Sequence, residues 1–231
     1  MKTVIIFCFY ITILNSSINY VLCQSTFEPY NSKEELEFDV KKIISDFDLY
    51  MKDLGIILPY IPGVNVQTAP FLIKWDEPNK AIILPYWDDL LTVQIEIFNR
   101  WRGDNAEEFF ISMFNWFFVP HELGHFMNPL DNSLSPYKRE KAANEFAISF
   151  LISDEKNQEK IKYIVKSLQE IMEILPKIDF NNMSEEEYFN ANYSQLGNNP
   201  DAYGYFQFKF ILDILNNKEN INILKYFEKE V

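Results

Sequence analysis

His121 and His125 are the only histidines in the chain, and they stand four residues apart in His121-Glu122-Leu123-Gly124-His125. On a helix, positions i and i+4 share a face, so both imidazoles can reach one ion. Glu122 lies about 100° round the helix from His121, beside the open coordination position, where it can act as a general base. This is the pattern of a site in which zinc activates a water for hydrolysis. Two histidines placed at random would take this spacing, with a glutamate directly after the first, about once in a thousand chains of this length. The plain alternative is a hydrogen-bonded histidine pair in a core. Glu122 weighs against it, because an acid among Phe117, Phe118 and Phe126 is costly to bury without a compensating charge.

Catalytic zinc takes three protein ligands and a water, so a third donor must come from outside the motif. Two candidates compete. In Glu140-Lys141-Ala142-Ala143-Asn144-Glu145-Phe146-Ala147, a helical wheel puts Glu140, Ala143, Asn144, Ala147 and Leu151 on one face. The two alanines on that face would let this helix approach the motif helix closely near Gly124. Glu145 falls about 140° away and is expected in solvent. The second candidate is Asp131, because His125-Phe126-Met127-Asn128-Pro129-Leu130-Asp131 mimics H-x-x-G-x-x-H with Asn for the turn glycine and Asp for the last ligand. The methionine turn that accompanies that pattern would have to come from Met183. With no third histidine, a tyrosine or Arg139 must stabilise an oxyanion, and Tyr203-Gly204-Tyr205 is a candidate segment, with aromatic core packing as its alternative.

On these residues the chain resembles the gluzincin metallopeptidases, in which H-E-x-x-H on one helix is joined by a glutamate from a later helix reading E-x-x-A-[DN]. It is similar to a group of secreted bacterial metallopeptidases in which a strand pair and an apolar helix precede H-E-L-G-H and an E-x-A-A-[DN] run follows. The matching span is Pro59 to Phe150. The resemblance implies that His121, His125 and Glu140 bind zinc, that Glu122 is the general base in peptide-bond hydrolysis, and that Asn144 helps to orient the ligands. Pro120 departs from the aliphatic residue more usual before the motif, and the C-terminal segment has no counterpart. Peptide deformylase shares the histidine pair but requires a cysteine ligand.

These side chains must be positioned by helices. Lys33 to Leu54 alternates apolar and charged residues at helical spacing, and Gly55 closes it. Phe71 to Trp75 and Ala81 to Pro85, either side of Asp76-Glu77-Pro78-Asn79, read as a β-hairpin. Its strand Ala81 to Leu84 could serve as an edge for an extended peptide. Helices are expected over Asp88 to Trp101 and, after Gly103-Asp104-Asn105, over Ala106 to Met127, with a kink or a fresh start at Pro120. Further helices are expected at Pro136 to Ile152, Asp154 to Leu175, Ser184 to Asn190, Asp201 to Asn217 and Glu219 to Lys229. The fold class is α+β, mostly α: a small hairpin or sheet followed by a helical, zincin-like core.

Residues 1–23 read as a secretory signal peptide, with Lys2, the apolar run Val4 to Leu14 and a short polar stretch before Cys23. The run is too short to span a bilayer comfortably, so no stable membrane insertion is expected after cleavage. A lipid anchor on Cys23 is the minority option, because Leu22 sits where such sites carry a small residue. Residues 24–231 then form one secreted or periplasmic domain without cysteine, which can use neither disulfides nor a cysteine metal ligand. A net charge of −13 without any basic run argues against nucleic acid and mildly favours cationic substrates. A peptide or protein is the expected partner. The reading from another class is a non-catalytic secreted binding protein on the same fold.

Overall fold

A computed structural model describes residues 25–67 and 72–228. The expected leader and Phe71 lie outside the described residues. Helix α1 (Lys33–Asp53) starts at Ser32, whose side chain accepts the Glu35 N–H, and is followed by Gly55 at φ +79°. Its buried stripe is Leu36, Val40, Ile44, Phe47 and Met51, the spacing of one helical face.

The hairpin is present and belongs to a three-stranded sheet. Strands β1 (Gly63–Val66), β2 (Lys74–Asp76) and β3 (Ala81–Leu84) lie in the order β1-β3-β2. β2 runs antiparallel to β3 with Trp75 opposite Ile82, and β1 runs parallel to it with Val64 opposite Ile82. Ala81 to Leu84 is therefore the central strand, not an edge. All four of its residues are buried, as its unbroken apolar run requires once both flanks are paired. Among the described residues β1 and β2 are the outer strands of the sheet.

Helix α2 (Thr92–Arg102) follows a single 3-10 turn at Trp87–Asp89, so it begins later than expected. From Ala106 to Met127 the chain is continuously helical but changes gauge twice. α3 (Ala106–Phe110) passes into a π-helical segment, Ile111–Phe117, and then into α4 (Phe118–Met127). Pro120 neither breaks the helix nor starts it. Proline clashes with the carbonyl four residues back, and here that carbonyl belongs to Trp116, inside the wider segment, where the Phe118 N–H already reaches back five residues to Met113. Asn115, buried in the same segment, donates to the carbonyl of Pro85 at 2.9 Å and ties it to the end of β3.

α4 has a distinct neighbour on each side. Val119, Leu123 and Met127, four residues apart, pack against the α1 stripe and against Ile82 and Leu84 of β3. On another side lies α5 (Pro136–Ser153), capped by Ser135 and crossing at Gly124. A Cβ on Gly124 would stand 3.0 Å from Cα and O of Ala143 and from Cβ of Phe146, so the two backbones meet where only glycine fits.

Helices α6 (Gln158–Ile174), α7 (Glu185–Leu196) and α8 (Pro200–Asn216) complete the molecule. α7 runs six residues beyond the expected Asn190, helped at its start by a capping box between Ser184 and Glu187. Glu219 to Lys229 is not an α-helix: its described residues hold 3-10 turns at Lys218–Asn220 and Ile223–Tyr226. α8 turns Phe208, Ile211 and Ile214 to the large core with α6, and Phe206 and Phe210 to a smaller core with Phe189 of α7. The architecture is α+β and mostly α. No described helix is long and apolar enough to cross a membrane.

Candidate metal centre

α4 carries His121 and His125 one turn apart, their rings T-shaped with centroids 4.8 Å apart. Because α5 crosses so tightly at Gly124 and Ala143, Glu140 arrives one turn before the contact and faces both rings. Its Oε2 lies 3.4 Å from His121 Nε2 and 3.7 Å from His125 Nε2. Among the described residues these three form the one cluster whose donor atoms all fall within 4.8 Å of one another. Two donors held 2.0–2.2 Å from one tetrahedral ion stand roughly 3.3–3.6 Å apart, close to both spacings.

The opposite nitrogen of each ring is held in place. His121 Nδ1 lies 3.1 Å from Asn144 Oδ1. The amide orientation follows from its other partners: Asn144 Nδ2 donates to the Glu140 carbonyl and to Gln207 Oε1, which leaves Oδ1 to accept. His121 Nδ1 therefore donates to Asn144, and its Nε2 faces Glu140. His125 Nδ1 donates to Asp131 Oδ1 at 3.0 Å, which turns its Nε2 toward Glu140. Asp131 is thus on the far side of the imidazole from Glu140. It orients His125 and does not stand at the ligand position, so of the two candidates for the third donor the geometry favours Glu140. Met183 is 46% exposed, unsuited to a floor beneath the ring pair.

Such a cluster favours positive charge. Burial opposes charge on His125, yet its hydrogen bonds to Asp131 and Glu140 outweigh this and raise its pKa to about 10. Burial would likewise raise Glu140, but its hydrogen bonds to His121 and His125 hold it well below the usual carboxylate range.

Helices α7 and α8 supply groups that the sequence reading did not single out. Tyr193 donates its hydroxyl to Glu140 Oε1 at 2.8 Å, and Gln207 donates Nε2 to Glu140 Oε2 at 2.9 Å. Gln207 also donates to the hydroxyl of Tyr203, one turn earlier on α8. No local signal marked Gln207, because α8 also carries Asp201, Lys209 and Asp213 and a Tyr-Gln pair at i, i+4 does not stand out among them. Arg139 stacks over the Tyr193 ring, 5.5 Å from its centroid. Tyr205 packs edge-on against Phe206, whereas Tyr203 lines the cavity beside the motif. Glu145 is paired with Lys225 at 2.5 Å and with the Tyr226 hydroxyl at 2.9 Å rather than left to solvent.

Glu122 is buried, and its Oε2 accepts the backbone N–H of Trp75 at 2.7 Å. Trp75 directs this N–H away from β3, so the outer edge of β2 runs beside α4. Glu122, His121, Tyr203 and Gln207 all line one cavity of about 840 Å³. Compared with protein-family models, curated proteins and solved structures, the chain matches none of them.

Proposed function

We propose that this protein is a zinc-dependent peptidase, with His121, His125 and Glu140 as metal ligands and Glu122 as general base. The observation that carries the reading is the convergence of two imidazole Nε2 atoms and one carboxylate oxygen at ligand-like spacing, next to a second carboxylate that lines the adjoining cavity. A His₂-carboxylate set suits zinc, although other divalent first-row metals share those donor preferences. Bound there, zinc would supply Lewis acidity to a water and to the scissile carbonyl.

The chain's own groups account for the rest. Glu122 takes a proton as the water oxygen bonds to the carbonyl carbon, and returns it to the amine as the C–N bond breaks, so atoms balance without any redox step. The Trp75 N–H fixes the carboxylate for that exchange. β2, the edge strand next to α4, is the strand on which an extended peptide would align, in place of Ala81 to Leu84. Of the residues singled out in the sequence, Tyr203 lines the cavity while Arg139 and Tyr205 do not, and its hydroxyl, which accepts from Gln207, keeps its proton to give to an oxyanion.

Metal analysis tests the ligand set. Glu140→Ala should lose almost all bound zinc. Asp131→Ala should weaken binding by roughly 10–100-fold, the usual effect of losing a partner that orients a ligand. If Asp131→Ala empties the site while Glu140→Ala stays loaded, the assignment is wrong.

A further inference from the structure

We infer that the cavity beside His121 and Glu122 receives an uncharged, apolar stretch of peptide several side chains long. The inference rests on the peptidase reading and narrows its substrate class. A volume of about 840 Å³ is far more than one side chain needs. It falls in the upper part of the range, about 300–1,000 Å³, that accommodates a whole drug-sized ligand.

The walls decide the chemistry. Leu72 and Ile73 enter from the approach to β2, Val93 and Ile97 from α2, Phe114 from the π segment and Phe118 from α4. Other polar groups in the lining, such as Gln94 and Asn198, are uncharged, and among the described residues Glu122 is the only carboxylate there. A lysine or glutamate side chain placed here would lose its hydration and find no opposite charge beyond the catalytic centre. The net charge of −13 would by itself suggest a basic substrate, but that acidity lies elsewhere on the molecule. Leu91 and Val93 line the cavity and are each 59% exposed, so apolar surface continues from the interior out to solvent. A segment lying along β2 could thus bury several side chains between α2 and α4.

Isothermal titration calorimetry on the zinc-loaded Glu122→Gln chain, with which peptides survive, tests this. The probes are acetylated tetrapeptide amides with three leucines and one alanine, and their counterparts with alanine, lysine or glutamate at the leucine positions. The leucine peptide should bind on the order of a hundredfold more tightly than each counterpart, about tenfold for each of two well-buried leucines. In the same background Val93→Glu should weaken it about tenfold without changing zinc content. Leu91→Asp serves as a second variant, since Leu91 is the N-cap of α2 and Asp is a preferred residue there. Equal binding of the lysine or alanine peptide, no binding at all, or indifference to both variants overturns the inference. Wild-type chain incubated with the same peptides separates the two readings. A leucine peptide that binds but stays intact leaves the apolar cleft standing and removes the peptidase. Preferential cleavage of the lysine or alanine peptide does the reverse.

Discussion

Glu140 is contacted by more of the site than any other side chain: two imidazoles, a tyrosine hydroxyl and a glutamine amide all converge on its carboxylate. Glu122 has one backbone donor and otherwise faces the cavity, which suits a group that must exchange protons. Glu122→Gln should accordingly keep its fold and its zinc, and lose roughly 10²–10⁴-fold in casein cleavage, the usual contribution of a positioned base. Wild-type rates in that variant would sink the mechanism. His125 gives a pH dependence. Its pKa rises from 6.5 to about 10 in the fold, so the metal-stripped chain is stabilised by protonation. That stabilisation is complete below pH 6.5 and lost as pH climbs from there toward 10. Urea midpoints of chelator-treated protein should therefore fall between about pH 6 and about pH 9, and a rise would contradict the sign. His121, Glu122 and His125 were legible in the sequence because one helix fixes their relation. Glu140 was legible through its wheel. Tyr193 and Gln207 were not, because they reach Glu140 from 53 and 67 residues away and no local periodicity encodes that.

α4 and α5 owe their closeness to Gly124 and Ala143. Gly124→Ala would push a methyl into backbone atoms of Ala143, which cannot rotate aside as a side chain would. It should cost about 1–3 kcal/mol in chemical unfolding, typical of overpacking. Zinc affinity should drop as well, because the helices that separate carry the histidines and Glu140. Unchanged affinity would show that the crossing does not set the site. The amphipathic α1, the hairpin and the motif helix could be read from spacing. β1 could not: Gly-Val-Asn-Val is only four residues long and is a strand because β3 lies beside it. Nor did the pattern reveal the π segment, since an apolar run reads alike in either gauge and only the carbonyl opposite Pro120 tells them apart.

The site draws on β2, α4, α5, α7 and α8, so it belongs to the whole molecule rather than to any one motif. Near the start of the described residues, Thr26 and Phe27 donate their N–H groups to Glu108, and the Phe27 ring packs on Trp116 and Tyr163. If residues 1–23 are removed as the secretory signal expected from the sequence, the mature chain begins at Gln24. Intact mass of protein from its native host should show that start, and a retained Met1 or a lipid on Cys23 would overturn it. The distance along the chain from Glu140 to Gln207 also sets an order of events. A ribosome that has released the histidine motif and Glu140 has still to make the helices that lock the carboxylate, and a polypeptide threaded through a membrane before folding has none of these partners in place. If the cluster holds a metal as proposed and the chain is exported before it folds, metal capture is a late step, governed by the ions of the compartment where the chain folds and not by those present where it is synthesised.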